Sequence, residues 1–137
     1  MKSRILVVCL VPLAMLLATS PVVSAPTGGS SCATVTAYTT NWGSTVAPGS
    51  VFGITGKIIN CSTGKARYTV NVAAMSSCGQ KASIASSRMA FGPGEAKIWS
   101  ISYTLPADTC SGTWEVTIQV NDRDGTLASA SAAVPVQ

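Results

Sequence analysis

Alternation of apolar and polar residues with a period of two is the feature that most limits the fold of this chain. Two neighbouring runs, 51–60 and 66–74, show it well, and in the second Tyr68, Val70 and Val72 alternate with polar residues. A strand with this period places one face on a core and the other in water. The pattern therefore predicts β-strands, and no helical period appears downstream of the N-terminal segment.

Seven runs of this kind follow one another, with turn residues between them. They predict strands at 33–39, 51–60, 66–74, 82–89, 96–105, 114–120 and 126–136. The segment Asp122-Arg123-Asp124-Gly125 between the last two is typical of a tight hairpin, because Asp-Gly readily adopts positive φ angles. Short strands at regular spacing predict an all-β, seven-stranded Greek-key sandwich.

The first 25 residues have the organisation of a signal peptide. Lys2 and Arg4 precede an apolar run, 5–18, and small residues favour cleavage after Ser24 or Ala25. The apolar run is shorter than the roughly 20 residues that a membrane-spanning helix needs. We therefore expect a secreted bacterial protein, located outside the cell or in the cell-envelope space, with no membrane span.

Removal of a signal peptide at 1–25 leaves two parts of unequal size. Residues 26–31 form a leader rich in Gly and Ser, which we expect to be flexible. Residues 32–137 form the predicted sandwich, which is long enough for one domain with its own core.

Four cysteines remain once Cys9 leaves with the signal peptide: Cys32, Cys61, Cys78 and Cys110. An even number in an exported chain favours two disulfides. Because the strands alternate in direction, the strand order pairs Cys32 with Cys61 at one pole and Cys78 with Cys110 at the other. Either alternative pairing would have to cross a strand of about 26–30 Å, whereas disulfides need Cα atoms about 4.4–6.8 Å apart.

The composition argues against catalysis. The chain has no histidine and only five Asp and Glu residues, so no Ser-His-Asp arrangement can form and no pair of facing carboxylates is evident. Asp122 and Asp124 resemble part of a calcium loop, but the later acidic ligand is missing, and we interpret them as a solvated turn. We expect neither an enzyme nor a cofactor or metal site.

The charges exclude one class of partner. Lys2 and Arg4 belong to the signal peptide, which leaves seven of the nine Lys and Arg residues against five Asp and Glu. These charges are scattered singly along the sequence, whereas nucleic acid binding requires a clustered basic stripe. Lys65, Arg67 and Arg123 fall near one predicted pole, where we expect them to be solvated.

Two short motifs concern modification and binding. Asn60-Cys61-Ser62 has the form of a glycosylation sequon, but we expect no modification because Cys61 is predicted to be bridged. Among the tryptophans, Trp99 and Trp114 fall on inward strand faces and are predicted to be core residues. Trp42 lies in a polar loop and is either a plug at the end of the sandwich or an exposed contact for a ligand or partner.

The turn residues carry a family resemblance. They are Pro48-Gly49, Asn60, Gly92-Pro93-Gly94-Glu95, Tyr103 with Pro106, and Gly112-Thr113-Trp114. This arrangement of turn residues resembles that of the secreted bacterial immunoglobulin-like families related to cell-adhesion repeats and to fibronectin type III domains. True immunoglobulin domains link cysteines within two strands, whereas Cys61 and Cys110 lie at predicted strand ends.

The resemblance implies a non-catalytic binding or adhesion module that acts through its loops or sheet edges. The partner would be a protein, the cell envelope or a glycan. Two alternatives remain open: a small-molecule carrier resembling the apoproteins of the antitumour chromoproteins, and a secreted enzyme accessory or inhibitor. The chromoproteins close short local disulfide loops, unlike the longer loops predicted here.

Overall fold

The computed structural model describes residues 31–41 and 44–137. The expected signal peptide, nearly all of the expected leader and Trp42 lie outside the described residues. Within the described part of the chain, no helix is long and apolar enough to span a membrane.

Seven strands account for most of the described residues. They are β1 (Ala33–Thr39), β2 (Val51–Asn60), β3 (Ala66–Ser76), β4 (Lys81–Phe91), β5 (Ala96–Thr104), β6 (Gly112–Asp122) and β7 (Gly125–Val136). Every strand predicted from the period-two pattern is present, and the predicted ends differ by two residues at most. The hairpin between β6 and β7 is also confirmed, because Asp122 pairs with Gly125.

The strands form two antiparallel sheets with a Greek-key order. One sheet has the order β1-β2-β5 and the other the order β4-β3-β6-β7. β4 pairs with β3 along its length, so it belongs to the four-stranded sheet. In constant-type immunoglobulin domains the fourth strand joins the first, second and fifth strands instead. The predicted all-β sandwich is therefore confirmed, and its lateral strand order is a structural finding.

The core lies between the sheets and is built from the inward positions of alternating strands. On β6, Val116, Ile118 and Val120 are fully buried, and Trp114 is 2% exposed. Inward residues of β2, β3 and β7 complete the layer. Trp114 is therefore a core residue, as the alternation predicts.

Trp99 differs from this prediction because it is only partly buried. It faces inward from β5, but β5 is the edge of its sheet, so one side of the indole has no neighbouring strand. The indole packs over Gly56 of β2, where a Cβ atom would lie 2.7 Å from the ring. Glycine at this position leaves the space that the indole fills.

The two sides of the sandwich are closed to different extents. At the β1–β7 side, Val46 donates its N–H to the carbonyl of Pro135 (2.8 Å) and accepts the N–H of Gln137 (3.1 Å). This short parallel bridge covers the β7 edge. At the opposite side β4 and β5 are both edge strands, and Met89 of β4 is only partly buried, like Trp99 of β5.

Two disulfides connect strand ends at opposite poles. Cys32 is bonded to Cys61 with a Cα separation of 5.0 Å, and Cys78 to Cys110 with a separation of 6.7 Å. This is the pairing that the strand directions predict. The first bridge joins the residue before β1 to the residue after β2, so it holds together the pole at which the loop 61–65 begins.

A buried polar network organises the same pole around Asn60, which is fully buried. Its Nδ2 donates to the carbonyls of Gly64 and Gly92, both at 2.9 Å. Its Oδ1 accepts the N–H of Ser62 (3.0 Å), and the Tyr68 hydroxyl lies 2.9 Å from it. The amide of the formal sequon is therefore buried and hydrogen-bonded in the folded chain.

Replacement of Trp114 by alanine should destabilise the domain by about 3–5 kcal/mol, because it removes a large buried ring and leaves a cavity. The measurement is equilibrium unfolding in denaturant of the oxidised protein. Thr113→Ala, at the exposed neighbouring position, is the matched control and should change stability by less than about 0.5 kcal/mol. Equal unfolding midpoints for Trp114→Ala and the parent would contradict the inward placement of this indole.

Tyr68 should lose its proton at a higher pH than an ordinary tyrosine. Burial raises the pKa of its phenol, and the negative charge of nearby Asp122 adds to the rise. The hydroxyl also lies 2.9 Å from the Cys32 carbonyl, to which only its protonated form can donate. The Tyr68 phenol therefore stays protonated in the folded state at pH values above its ordinary pKa of about 10. The stability that comes from this raised pKa is complete below about pH 10 and declines at higher pH.

Ultraviolet titration of tyrosinate absorbance checks this expectation. One tyrosinate step should appear above the ordinary pKa of about 10 while circular dichroism still reports a folded chain. Tyr68→Phe should remove that step. A titration curve that is complete at ordinary pH in the parent, or a high-pH step that persists in Tyr68→Phe, would contradict the shift.

Candidate functional site

The pole that carries the Cys32–Cys61 disulfide also collects most of the charged side chains. The loop 61–65, the start of β3, the end of β4 and the β6–β7 hairpin meet there, because neighbouring strands of the four-stranded sheet are antiparallel. We call this end of the sandwich the basic pole.

Four cations line one cavity of about 470 Å³ at the basic pole: Lys65, Arg67, Arg88 and Arg123. Lys65 and Arg67 are close in the sequence, whereas Arg88 comes from β4 and Arg123 from the β6–β7 hairpin. Sequence analysis placed Lys65, Arg67 and Arg123 near one pole, and the structure adds Arg88 to them. Arg88 in particular could not be placed without the register, which sets it opposite Thr69 on β3.

A second cavity, of about 540 Å³, adjoins the first and shares Lys65, Arg67 and Arg123 with it. Ala66 also lines both cavities, whereas Ala90 and Phe91 line only the second, whose wall is mostly apolar. We call the two cavities together the basic groove. The groove thus has a charged half and an apolar half, with the three shared cations between them.

The apolar half has a well-packed base. Phe91, the last residue of β4, is 2% exposed, and its ring centroid lies 5.4 Å from that of Tyr68. The Lys97 ammonium lies 5.1 Å from the Phe91 ring centroid. Tyr68 is itself held by the Asn60 network, so the groove rests on ordered core side chains.

Two of the three carboxylates of the groove, those of Glu95 and Asp122, already have partners. Glu95 lies 3.9 Å from the Lys97 ammonium, and its Oε2 accepts the N–H of Gly92 at 2.6 Å. Asp122 accepts the N–H groups of Asp124 (2.7 Å) and Gly125 (3.1 Å) through Oδ1. These carboxylates therefore stabilise turns.

The cations of the groove are not neutralised in this way. Lys97–Glu95 is the ion pair found among residues 31–41 and 44–137, and in that part of the chain Lys65, Arg67, Arg88 and Arg123 have no carboxylate partner. Exposed guanidinium and ammonium groups around a concave surface are suited to binding an anion.

The predicted site residues have different outcomes. Trp42 lies outside the described residues, so its role stays a prediction. Asp122 and Asp124 lie on the hairpin, and among the described residues no group of three or more Cys, Asp and Glu side chains is arranged to hold a metal ion. Of the groove cations, sequence analysis placed Lys65, Arg67 and Arg123 near one pole but interpreted them as solvated.

Comparison with known proteins gives matches in structure alone. No family model matches this sequence, and no curated protein matches it either.

Several solved structures share the architecture. The crystal structure of a CARDB domain from Pyrococcus furiosus, in complex with di-metal ions, is 16% identical with a TM-score of 0.62, and the match covers 84% of this chain and 96% of that domain. The Pseudomonas fluorescens alkylpurine DNA glycosylase AlkC is 14% identical with a TM-score of 0.60; 75% of this chain matches 30% of the glycosylase.

The sporulation control protein Spo0M of Bacillus subtilis is 16% identical with a TM-score of 0.52, and 75% of this chain matches 49% of it. At these identities the likeness concerns the fold. This chain therefore shares the immunoglobulin-like sandwich fold of the cell-adhesion-related CARDB domains.

Proposed function

We propose that this chain is an exported, non-catalytic binding module of the adhesion type, and that the basic groove is its binding surface. The observation that carries the proposal is the set of four cations that surround one cavity without carboxylate partners in the described part of the chain. The fold supports a binding role, and the two disulfides are compatible with an oxidising location outside the cytoplasm.

The architecture supports binding through this pole. Binding residues are commonly carried by loops that a rigid scaffold positions. Here the Cys32–Cys61 bridge and the buried Asn60 amide hold the loop 61–65 against the strand ends. The loop therefore needs little ordering when a ligand binds, and pre-ordering of this kind favours affinity.

The chemistry of the groove also supports a non-catalytic role. The chain has no histidine, and the Asp122 and Glu95 carboxylates are engaged in turns. The groove side chains best placed to meet a ligand are cations, which hold an anion but are poor general bases at neutral pH.

Retention on washed bacterial cell envelopes tests the proposal. We expect the fluorescently labelled mature domain to be retained, and Arg67→Gln with Arg123→Gln to weaken retention by about tenfold or more, equivalent to about 1.4 kcal/mol. Both side chains are exposed, so stability should change by less than about 0.5 kcal/mol.

Lys57→Gln with Lys81→Gln is the matched control. It removes the same charge from exposed positions outside the groove and should leave retention unchanged. Equal losses for the two double variants would mean that net charge alone governs retention. A parent domain that is not retained would contradict the adhesion role and favour the small-molecule carrier.

A further inference from the structure

The two halves of the basic groove differ in a way that restricts its ligand. The charged half adds Arg88, Asp122 and Asp124 to the shared cations. The apolar half adds small or aromatic residues at the junction of β4 with the following turn. A ligand that fills both halves must therefore have an anionic part and an apolar part.

The balance of charge argues against a polyanion. Four cations line the groove, but so do the carboxylates of Glu95, Asp122 and Asp124, which leaves a surplus of a single positive charge. A chain of repeated anionic groups along the groove would pass these carboxylates, and like charges at short range are unfavourable. One anionic group placed beside the shared cations avoids this repulsion.

Arg67 and Arg123 provide the position for that group. Both guanidinium side chains line both cavities, and neither has a carboxylate partner in the described part of the chain. A guanidinium group presents a planar set of donors that fits carboxylate, phosphate and sulfonate oxygens.

The apolar half provides a place for an uncharged body next to that group. Ala66 and Ala90 belong to the paired ends of β3 and β4, where Ala66 is opposite Phe91 and Ala90 is opposite Arg67. Ala90 therefore lies directly beside Arg67 on the outer face of the sheet, and Ala66 and Phe91 are the next residues along the two strands. Burial of apolar ligand surface there would add to the electrostatic attraction.

We propose that the basic groove recognises an amphipathic organic anion: one carboxylate, phosphate or sulfonate group joined to a compact apolar body. The anionic group lies between Arg67 and Arg123, and the apolar body lies over Ala66, Ala90 and Phe91. This inference names the ligand class of the proposed binding surface and so rests on the proposed function.

Anilinonaphthalene sulfonate is a suitable probe, because it joins one sulfonate to an apolar aromatic body and its fluorescence rises in apolar surroundings. The experiment titrates the oxidised mature domain with the probe. We expect saturable binding of one molecule per chain, and Arg67→Gln with Arg123→Gln should weaken it by about tenfold. Lys57→Gln with Lys81→Gln should leave the affinity unchanged.

A second pair of variants tests the apolar half. Ala90→Gln places an amide in it and should also weaken binding by about tenfold. Ala73→Gln, at an exposed position of β3 outside the groove, should have no effect. Near-ultraviolet circular dichroism must agree among all variants, since loosely packed states bind this probe as well.

Competing ligands distinguish the ligand classes. Inorganic sulfate should displace the probe only weakly, because it lacks the apolar body, and a short aliphatic sulfonate should displace it more strongly. Displacement by polyphosphate at lower concentration than by the sulfonate would overturn the inference in favour of a polyanion. Unchanged probe affinity in the Arg67 and Arg123 variant would overturn it by placing the probe elsewhere.

The outcome separates the two proposals. Envelope retention without probe binding to the groove would contradict the ligand class and leave the binding module intact. Probe binding to the groove without envelope retention would support the ligand class and contradict the adhesion role.

Discussion

The buried side chain of Asn60 holds three segments of the basic pole together. Its amide binds Gly64 in the loop after β2 and Gly92 in the turn after β4, and its carbonyl oxygen lies beside the Tyr68 hydroxyl of β3. A buried amide with unsatisfied groups costs free energy, so the segments that satisfy it are held in one arrangement. Lys65 and Arg67 lie next to Gly64 and Tyr68 in the chain, so their positions depend on these segments, and Asn60 has a structural role.

At the basic pole, repulsion between neighbouring cations is reduced by solvent and salt. Cations held close together repel one another, but solvent and salt screen exposed charges over about 8–10 Å. Lys97 has a structural role, because it contacts both the Glu95 carboxylate and the Phe91 ring. The cations without such partners are exposed and contribute little to folding.

The two sides of the sandwich differ because the segment 44–46 crosses only one of them. It pairs with β7 and protects that edge. The β4–β5 side has no comparable cover in the described chain, and inward side chains such as Trp99 and Tyr103 are therefore only partly buried. Exposed edges are sites at which other strands can pair.

Local pattern was sufficient to predict the strands, their inward faces and the β6–β7 hairpin, because side-chain alternation and turn chemistry depend on neighbouring residues. The Cys32–Cys61 and Cys78–Cys110 pairing also followed from the sequence, since strand direction alone decides which ends share a pole. The lateral order of strands is non-local, and the tertiary structure alone decided that β4 joins β3 and that β5 is an edge. For the same reason the sequence could not predict the partial burial of Trp99. It also could not predict that Arg88 lines the same groove as Arg67 and Arg123. Both findings depend on how strands that are distant in the chain are arranged next to one another.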